Sequence, residues 1–432
     1  MKLPLTIKEI EKLSAKSTVT LNGWIRSVRH QKKLSFANVS DGTADIQVLL
    51  PPDSHRGYLS LTTGASISVD GTVCQHPRNQ SLEIKAESLK LWGECPGENY
   101  PMQKKDHGSE HLRDNAHLRV RSRQIASVIR LRDQLSYNFA SWFKDFGFMN
   151  VQPPIITSSD CEGAGEVFEV RHPTKSEKFF GRDAYLSVST QLHLEAISSG
   201  FSRVYTLSPT FRAEGSQTNR HLAEFWMLEA ELSFVEDLET VMQVVENSIK
   251  SSVKNLTEHS EGIPSMSVDS DWPRLTYTEA IEILKKRHED APFQYIPEWG
   301  ASLQSEHERY LADTYYGRPL FVTDYPENIK PFYMRVNDDG KTVSCFDLLA
   351  PGIGELAGGS LREERLQVLE DKMSTAGLDR ETYEWYVDLR RFGSVPHGGF
   401  GIGYERLISA LSGVSNLRDV VLFPRWAGRC TF

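Results

Sequence analysis

The sequence predicts an α+β chain in two domains: a small all-β barrel at the N-terminus, and a larger domain on a mostly antiparallel sheet flanked by helices. Three observations predict it. Between about Thr18 and Gly93 the chain reads as short strands (TVTLNGWIRSV, LSFANVS, ADIQVLL, ASISVDGTV, SLEIKAESLKLW), broken at Asp41-Gly42, Pro51-Pro52, Gly64 and the Pro77–Asn79 stretch, which is the spacing of a small barrel. From about Glu94 to Asn115 there is no apolar periodicity, and Pro96, Gly97, Pro101 and Gly108 fit a linker. Beyond Ser122 helical and extended stretches follow one another without strict β-α-β alternation. The expected domains are therefore residues 1–93, a hinge at 94–121, and residues 122–432.

Taken in order, the barrel best matches the five-stranded oligonucleotide-binding kind, although a β-sandwich gives a similar strand pattern. The linker ends in a basic run, His111, Arg113, His117, Arg119, Arg121 and Arg123. It reads either as a solvated face or as a path for a phosphate backbone. Leu135, Phe139, Trp142, Phe143 and Phe146 recur at helical spacing and predict a helix from Ser122 that stops at Gly147, a residue that tolerates the left-handed conformation. The extended segments FMNVQPPIIT, AYLSVSTQL, VYTLSPTFRAE and EFWMLEAELSF come next, then a helix over Leu238–Lys254. An irregular, helix-containing region at about 255–317 precedes the last strands, FVTDYP, FYMRV, TVSCFDLL and GGFGIGY.

Composition excludes some classes. The 432 residues hold 49 Lys+Arg against 58 Asp+Glu, a net charge of −9, with 39% hydrophobic and 25% charged residues. No apolar run approaches the roughly 20 residues that cross a bilayer, so no membrane role is expected. Glu9 and Glu11 among the N-terminal lysines fit neither a secretory signal nor a clear mitochondrial presequence. Cys74, Cys95, Cys161, Cys345 and Cys430 are scattered, which argues against a disulfide framework or structural zinc and for an intracellular compartment.

Three clusters carry chemistry. In PTFRAEGSQTNRHLAEF, Arg212, Glu214, Arg220, His221, Leu222, Glu224 and Phe225 fall on a strand–loop–strand hairpin. The charges suit a solvated tip, yet Arg212 and Glu214 share a strand face with buried-looking neighbours, where unpaired charge is costly. In GGFGIGYERL, alternate glycines at 399, 401 and 403 clear one strand face for a flat ligand beneath Arg406; a bulge or close sheet packing explains them equally well. In FDLLAPGIGELAGGSLREER, Asp347 and Glu355 offer oxygen ligands to a hard cation and Arg362 offers a fork to a carboxylate or amide. An acid-rich helix start is the plain alternative there.

Together these motifs, with the helix followed by GFMNVQPPIIT, resemble the three signature motifs of class II aminoacyl-tRNA synthetases, and with the barrel they resemble the aspartate/asparagine/lysine subgroup over nearly the whole chain. DCEGAGEVF, STQLHLE, RHLAEFWMLEAEL, VTDYP…KPFYMR and DLRRFGSVPHGGFGIGYERL resemble the asparaginyl branch. Aspartyl members resembling this chain place a Lys three residues after the equivalent of Gln191, where this chain has Leu194, and commonly an Asp where it has Glu229. Both departures favour a neutral amide.

The resemblance implies ligation of L-asparagine to tRNA(Asn) with ATP, through asparaginyl-adenylate. It implies Arg212 and Arg406 as the catalytic cations: Arg212 bridging the amino-acid carboxylate and the α-phosphate, and Arg406 covering adenine and reaching the γ-phosphate. Arg220 and His221 are expected on the outer phosphates, Phe225 stacked on adenine, and Glu214 on adenine or the tRNA's terminal adenosine. Leu222, Gly401, Ile402, Gly403 and Tyr404 complete the expected ATP site. Mg²⁺ is expected on Glu355 and Asp347. Glu162 and Gln191 are expected at the α-ammonium, Arg362 at the side-chain carbonyl and Glu229 at its NH₂. In the barrel Phe36 resembles an aromatic platform for an anticodon base, though it also suits a barrel core, and Arg26, Gln47 and Glu83 are expected beside it.

A homodimer is expected through the Ser122–Phe146 helix. Compact length and the LRRFGSVPHGGFG tail resemble organellar members and favour the mitochondrial matrix, while LFPRWAGRCTF resembles cytosolic ones. The alternatives are an aspartyl enzyme, a synthetase-like asparagine-forming enzyme, against which the barrel counts, and a nucleic-acid-binding protein without catalysis. The acidic total and a tRNA partner are compatible if positive charge gathers at Arg26, Arg29, Lys32, Lys33 and the His111–Arg123 run.

Overall fold

The computed structural model describes residues 3–31, 34–50, 61–77, 81–159, 161, 166–172, 178–216, 218–256 and 266–432. Pro51, Pro52, Lys32, Lys33 and Glu162 therefore lie outside the described residues. The chain divides into two compact units, residues 1–126 and 127–432.

In the first unit, strands β1 (Thr18–Arg29), β2 (Ser35–Ser40), β3 (Asp45–Leu50), β4 (Ser66–Gln75) and β5 (Leu82–Gly93) close into a barrel in the order β1-β2-β3-β5-β4. Alternation drives the closure. Ala37, Val39, Ile46, Val48, Ile67, Val69 and Ile84 point inward and are buried, while Phe36, Asn38, Gln47 and Leu49 take the other face. Gly71 is required by close approach: a Cβ there would lie 2.4 Å from the Lys85 carbonyl oxygen.

The expected linker is not bare. Helices Ser109–Asp114 and Ala116–Arg119 form within it because Leu112 and Ala116 are buried. The basic run is likewise not a uniform stripe. Arg113 and Arg119 are buried, Arg121 stands near the Trp24 and Tyr100 rings, and exposed Arg123 pairs with Asp45 at 2.9 Å.

The second unit is organised by an eight-stranded sheet. Its strands are β6 (Met149–Asn150), β9 (Arg203–Phe211), β10 (Glu224–Ser233), β11 (Arg274–Thr276), β12 (Leu320–Thr323), β13 (Cys345–Ala350), β14 (Gly354–Leu361) and β15 (His397–Gly403). A separate hairpin joins β7 (Ile156–Thr157) to β8 (Tyr185–Leu186). The sheet order is β11-β12-β13-β14-β15-β10-β9-β6, antiparallel except for the β11–β12 and β6–β9 pairs. The helix Arg123–Asp145 ends, as its spacing predicts, at Gly147 with φ +76. Leu135, Phe139, Trp142 and Phe143 are buried, and Phe146 is exposed. The helix Leu238–Lys254, capped by Asp237 on the Thr240 amide, packs Val241, Val245 and Ile249 into the same core. A second core gathers the helices Tyr277–Asp290 and Arg380–Arg391 around β12 and β13. Among the described residues no helix is long and apolar enough to cross a membrane.

Candidate active site

β9 and β10 form a hairpin in register from Phe211↔Glu224, and the Arg212 amide donates to the Ala223 carbonyl at its mouth. Period-two alternation along β10 then sends Phe225, Met227, Glu229 and Glu231 to one side, while Leu228 and Leu232 enter the core. That side, with the adjoining parts of β13, β14 and β15, walls a cleft of about 400 Å³, within the roughly 300–1,000 Å³ of small-molecule sites.

One end of the cleft is cationic. Arg212 lies 3.9 Å from Glu214 and over the Phe225 ring at 5.6 Å. The hairpin loop carries His221, whose Nδ1 meets Thr218 Oγ1 at 2.6 Å and whose Nε2 lies 3.4 Å from Glu214. Arg220 Nη2 is buried with no hydrogen-bond partner among the described residues. Burial, and the like charges of Arg309 and Arg406, hold the Arg220 pKa below its ordinary value. Arg406, at the start of the helix Tyr404–Ser412, donates to the Glu355 carbonyl at 2.6 Å. Crowded guanidiniums, one with a buried unused N–H, make a site for a polyanion.

Beside them Asp347 on β13 and Glu355 on β14 flank Gly358, where a Cβ would lie 3.5 Å from Asp347 Oδ1 and 3.7 Å from Glu355 Oε1. Burial raises the Asp347 pKa; Lys330 opposes it at 2.9 Å from both oxygens, Glu355 adds to it, and the net direction is upward. Glu355 goes the other way: burial is outweighed by Arg406, Lys330 and Arg212, and its carboxylate sits below the ordinary range. Glu308, which accepts the Glu355 amide at 3.2 Å, is pushed up to about 7 by burial and by Glu355. Two carboxylates across a side-chain-free glycine offer oxygen ligands to a hard cation that completes its shell on phosphates. Glu355 is the freer donor, because Lys330 already holds both oxygens of Asp347.

The other end is buried. Arg362 donates from Nε and Nη2 to the two oxygens of Glu231 at 3.0 and 2.9 Å, and from Nη1 to Ser360 Oγ at 2.8 Å. A guanidinium has five N–H groups, so two remain for a ligand. Glu229, 2% exposed, accepts from the Ser189 hydroxyl, from the Thr190 amide at 3.1 Å and from the Thr190 hydroxyl at 2.6 Å. The Thr190 amide bridges both oxygens at 3.1 Å, so these contacts occupy most of the carboxylate's acceptor capacity. Gln191 lines the same wall and donates to Glu195 at 3.1 Å, and Leu194 adds apolar surface where a cation would attract a carboxylate.

Most residues expected from the sequence converge here: Arg212, Glu214, Arg220, His221, Leu222, Phe225, Gln191, Glu229, Asp347, Glu355, Arg362, Gly401, Gly403 and Arg406 all line the cleft. Ile402 and Tyr404 do not. Their side chains are buried in the core, Ile402 because alternation turns it to the opposite face, and Tyr404 because its hydroxyl meets the Arg132 carbonyl and Ser136. Gly399 clears space for protein rather than for a flat ligand, since a Cβ there would lie 2.0 Å from Glu231 Oε2. Lys330, Glu308, Glu231 and Glu195 were not singled out from the sequence. Glu231 follows Glu229 by two along an apolar strand and Glu195 follows Gln191 by four on a helix, and those spacings were the available signals.

In the barrel unit Phe36 is half-buried and outside the inner core, with the Arg29 guanidinium 5.2 Å from its ring centre. Gln47 donates to Glu83 at 2.8 Å on the same outer face. Arg26 departs from the expectation. It sits in the bulge of β1, its guanidinium donating to the Arg121 carbonyl and reaching Ser40, so Arg29 is the cation beside Phe36.

The fold and cleft define a class II aminoacyl-tRNA synthetase. Residues 109–427 match the family described as tRNA synthetases class II (D, K and N), and residues 19–92 match the OB-fold nucleic acid binding domain. An asparagine--tRNA ligase of Desulfotalea psychrophila is 46% identical, covering 95% of each chain, and a Mus musculus asparaginyl-tRNA synthetase is 44% identical over 95% of this chain and 91% of its own. The crystal structure of asparaginyl-tRNA synthetase from Pyrococcus horikoshii complexed with asparaginyl-adenylate matches over 100% of both chains, with TM-score 0.90 and 32% identity. The chain belongs to the asparaginyl-tRNA synthetase family.

Proposed function

We propose that this chain ligates L-asparagine to tRNA(Asn) in two steps: attack of the amino-acid carboxylate on the α-phosphorus of ATP, releasing pyrophosphate, then attack of a tRNA 3′-ribose hydroxyl on the acyl-adenylate. Neither step needs a protein nucleophile, so the chain's contribution is positioning and charge. Arg212 would bridge the carboxylate and α-phosphate. Arg220 and His221 would take the outer phosphates, while Phe225 and Arg406 sandwich adenine. Glu355, helped by Asp347, would hold Mg²⁺, which when bound neutralises phosphate charge. Arg362 would give its two spare N–H groups to the side-chain carbonyl, and Glu229 would accept from the NH₂. Gln191, with Glu162, would receive the ammonium.

The observation that carries the amino-acid choice is the pairing of Arg362 with Glu231, both buried, beside Leu194. Among the described residues that wall holds no uncommitted cation for a carboxylate. ATP–pyrophosphate exchange with each of the twenty amino acids tests it: asparagine alone should support exchange, and exchange driven by aspartate would replace this reading with an aspartyl one. The Phe36–Gln47–Glu83 face supports anticodon binding. We also propose a homodimer, checked by sedimentation, and residence in the mitochondrial matrix, supported by the compact length and checked by imaging a tagged protein.

A further inference from the structure

Behind the amino-acid wall lies a second set of charged side chains that do not line the cleft. Glu195, on the helix Gln191–Phe201, is fully buried and accepts from Tyr386 Oη at 2.8 Å and Arg390 Nη2 at 2.7 Å, and meets His397 Nε2 at 3.1 Å. Arg390 and Tyr386 come from the helix Arg380–Arg391, and Arg390 Nε is fixed by the Glu363 carbonyl at 2.9 Å. His397 opens β15 and turns Nδ1 to the Val395 carbonyl at 2.8 Å. The same Glu195 touches the substrate wall twice, through Gln191 at 3.1 Å and Arg362 at 3.8 Å.

This layer sets a charge count. Glu195 and Glu231 face Arg362, Arg390 and the His397 ring, and Glu229 lines the same cleft wall, held by Ser189 and Thr190. Among the described residues the sum is zero when His397 carries its second proton and −1 when it does not, so neither state has a cation to spare. An arriving carboxylate would be an uncompensated charge in a buried site, which costs far more than a neutral amide with a donor and an acceptor.

Resting on the asparagine reading above, we propose that Glu195 and Arg390 are positioning residues that set the preference for a side-chain amide over a carboxylate, acting through Arg362 and Gln191 without touching the ligand. The layer works by charge balance as well as by geometry. Changing the balance without changing shape should therefore move specificity in a direction set by sign.

The test is ATP–pyrophosphate exchange with asparagine and with aspartate in the full chain, Glu195→Gln, Arg390→Gln and the double variant. Glu195→Gln shifts the sum by one unit in the positive direction, and the asparagine-to-aspartate ratio of kcat/KM should fall roughly thirtyfold, as for unit charges about 8 Å apart at an effective dielectric of about 20. Arg390→Gln should raise the ratio, and the double variant, balanced again, should return it towards wild type. Tyr386→Phe removes a donor and no charge, and should leave the ratio within about twofold while raising the asparagine KM. Equal losses for both amino acids in Glu195→Gln, or a fall in the ratio for Arg390→Gln, overturn the proposal. Should Glu195→Gln not fold, Arg390→Gln decides by the sign of its shift. Wild-type protein that activates aspartate as readily as asparagine would instead overturn the function itself.

Discussion

The two ends of the cleft are built on opposite principles. At the phosphate end, Arg212 and Arg406 keep side-chain exposures of 29% and 33%, and their carboxylate contacts are long, 3.9 Å to Glu214 and 3.4 Å to Glu355. At the amino-acid end Arg362 is 3% exposed and bidentate on a Glu231 that is fully buried, with Glu195 and Arg390 buried behind it. The difference follows from what each end must do. Phosphates bring their own charge and leave as pyrophosphate, so loosely held cations suit them. A small neutral side chain brings little binding energy, and discriminating it requires groups already desolvated and fixed.

The largest effect should come from the loose end. Arg212→Ala is expected to lower kcat for asparagine-dependent exchange by about 10²–10³-fold, with the unliganded protein's stability little changed because that side chain is partly exposed. A comparable loss of thermal stability would mean that the two ends are equally structural. Arg362→Ala should raise the asparagine KM roughly 10–100-fold and the ATP KM far less. It should also destabilise the fold by about 3–5 kcal/mol, because Glu231 is left buried and unpaired. Equal effects on both KM values would remove its assignment to the amino-acid end.

Phe36→Ala lies outside the cleft and leaves the comparison intact only if both ends ignore it. Aminoacylation of tRNA should weaken by about 1–3 kcal/mol in apparent binding, while tRNA-independent exchange is unchanged; loss of both would make Phe36 a core residue. The smallest effect concerns acid stability. Burial pushes the Glu246 carboxyl up, but hydrogen bonds from Lys250 and Arg274 outweigh it, and its pKa lies below the ordinary 4.5. The native state therefore binds the proton less readily than the unfolded chain, and this stabilisation is present above pH 4.5 and lost as pH falls below it. Glu246→Gln should cost about 1 kcal/mol near pH 7 and progressively less as pH falls below 4.5, with both substrate KM values unaltered. A constant penalty across pH would show that packing, not charge, holds that pair.

How much could be read beforehand also differs between the ends. The phosphate end was legible because its residues come from short, contiguous motifs: Arg212 through Phe225 span one hairpin, and Gly401 through Arg406 one strand-to-helix turn. Along them, the resemblance put Ile402 and Tyr404 at the ATP site, whereas their side chains belong to the core. The amino-acid end was half legible. Arg362 and Glu229 stood out as charges in apolar strands, but their surroundings come from far away in the chain: Arg390 meets Glu195 across 195 positions, and Arg362 meets Glu231 across 131. The same holds for Lys330 on Asp347 and for Arg26, whose capture by the Arg121 carbonyl no strand pattern announces.

By itself the sequence determined the barrel, the sheet with its helices, the cleft's principal cations and the family resemblance, because periodicity, turn residues and motif spacing are local and survive in one dimension. Only the tertiary structure decided which charges neutralise which, and which glycine clears space for a ligand and which for Glu231. Those outcomes depend on burial and on distances between remote segments, and the energy of a buried charge is set by its neighbours rather than by its own identity.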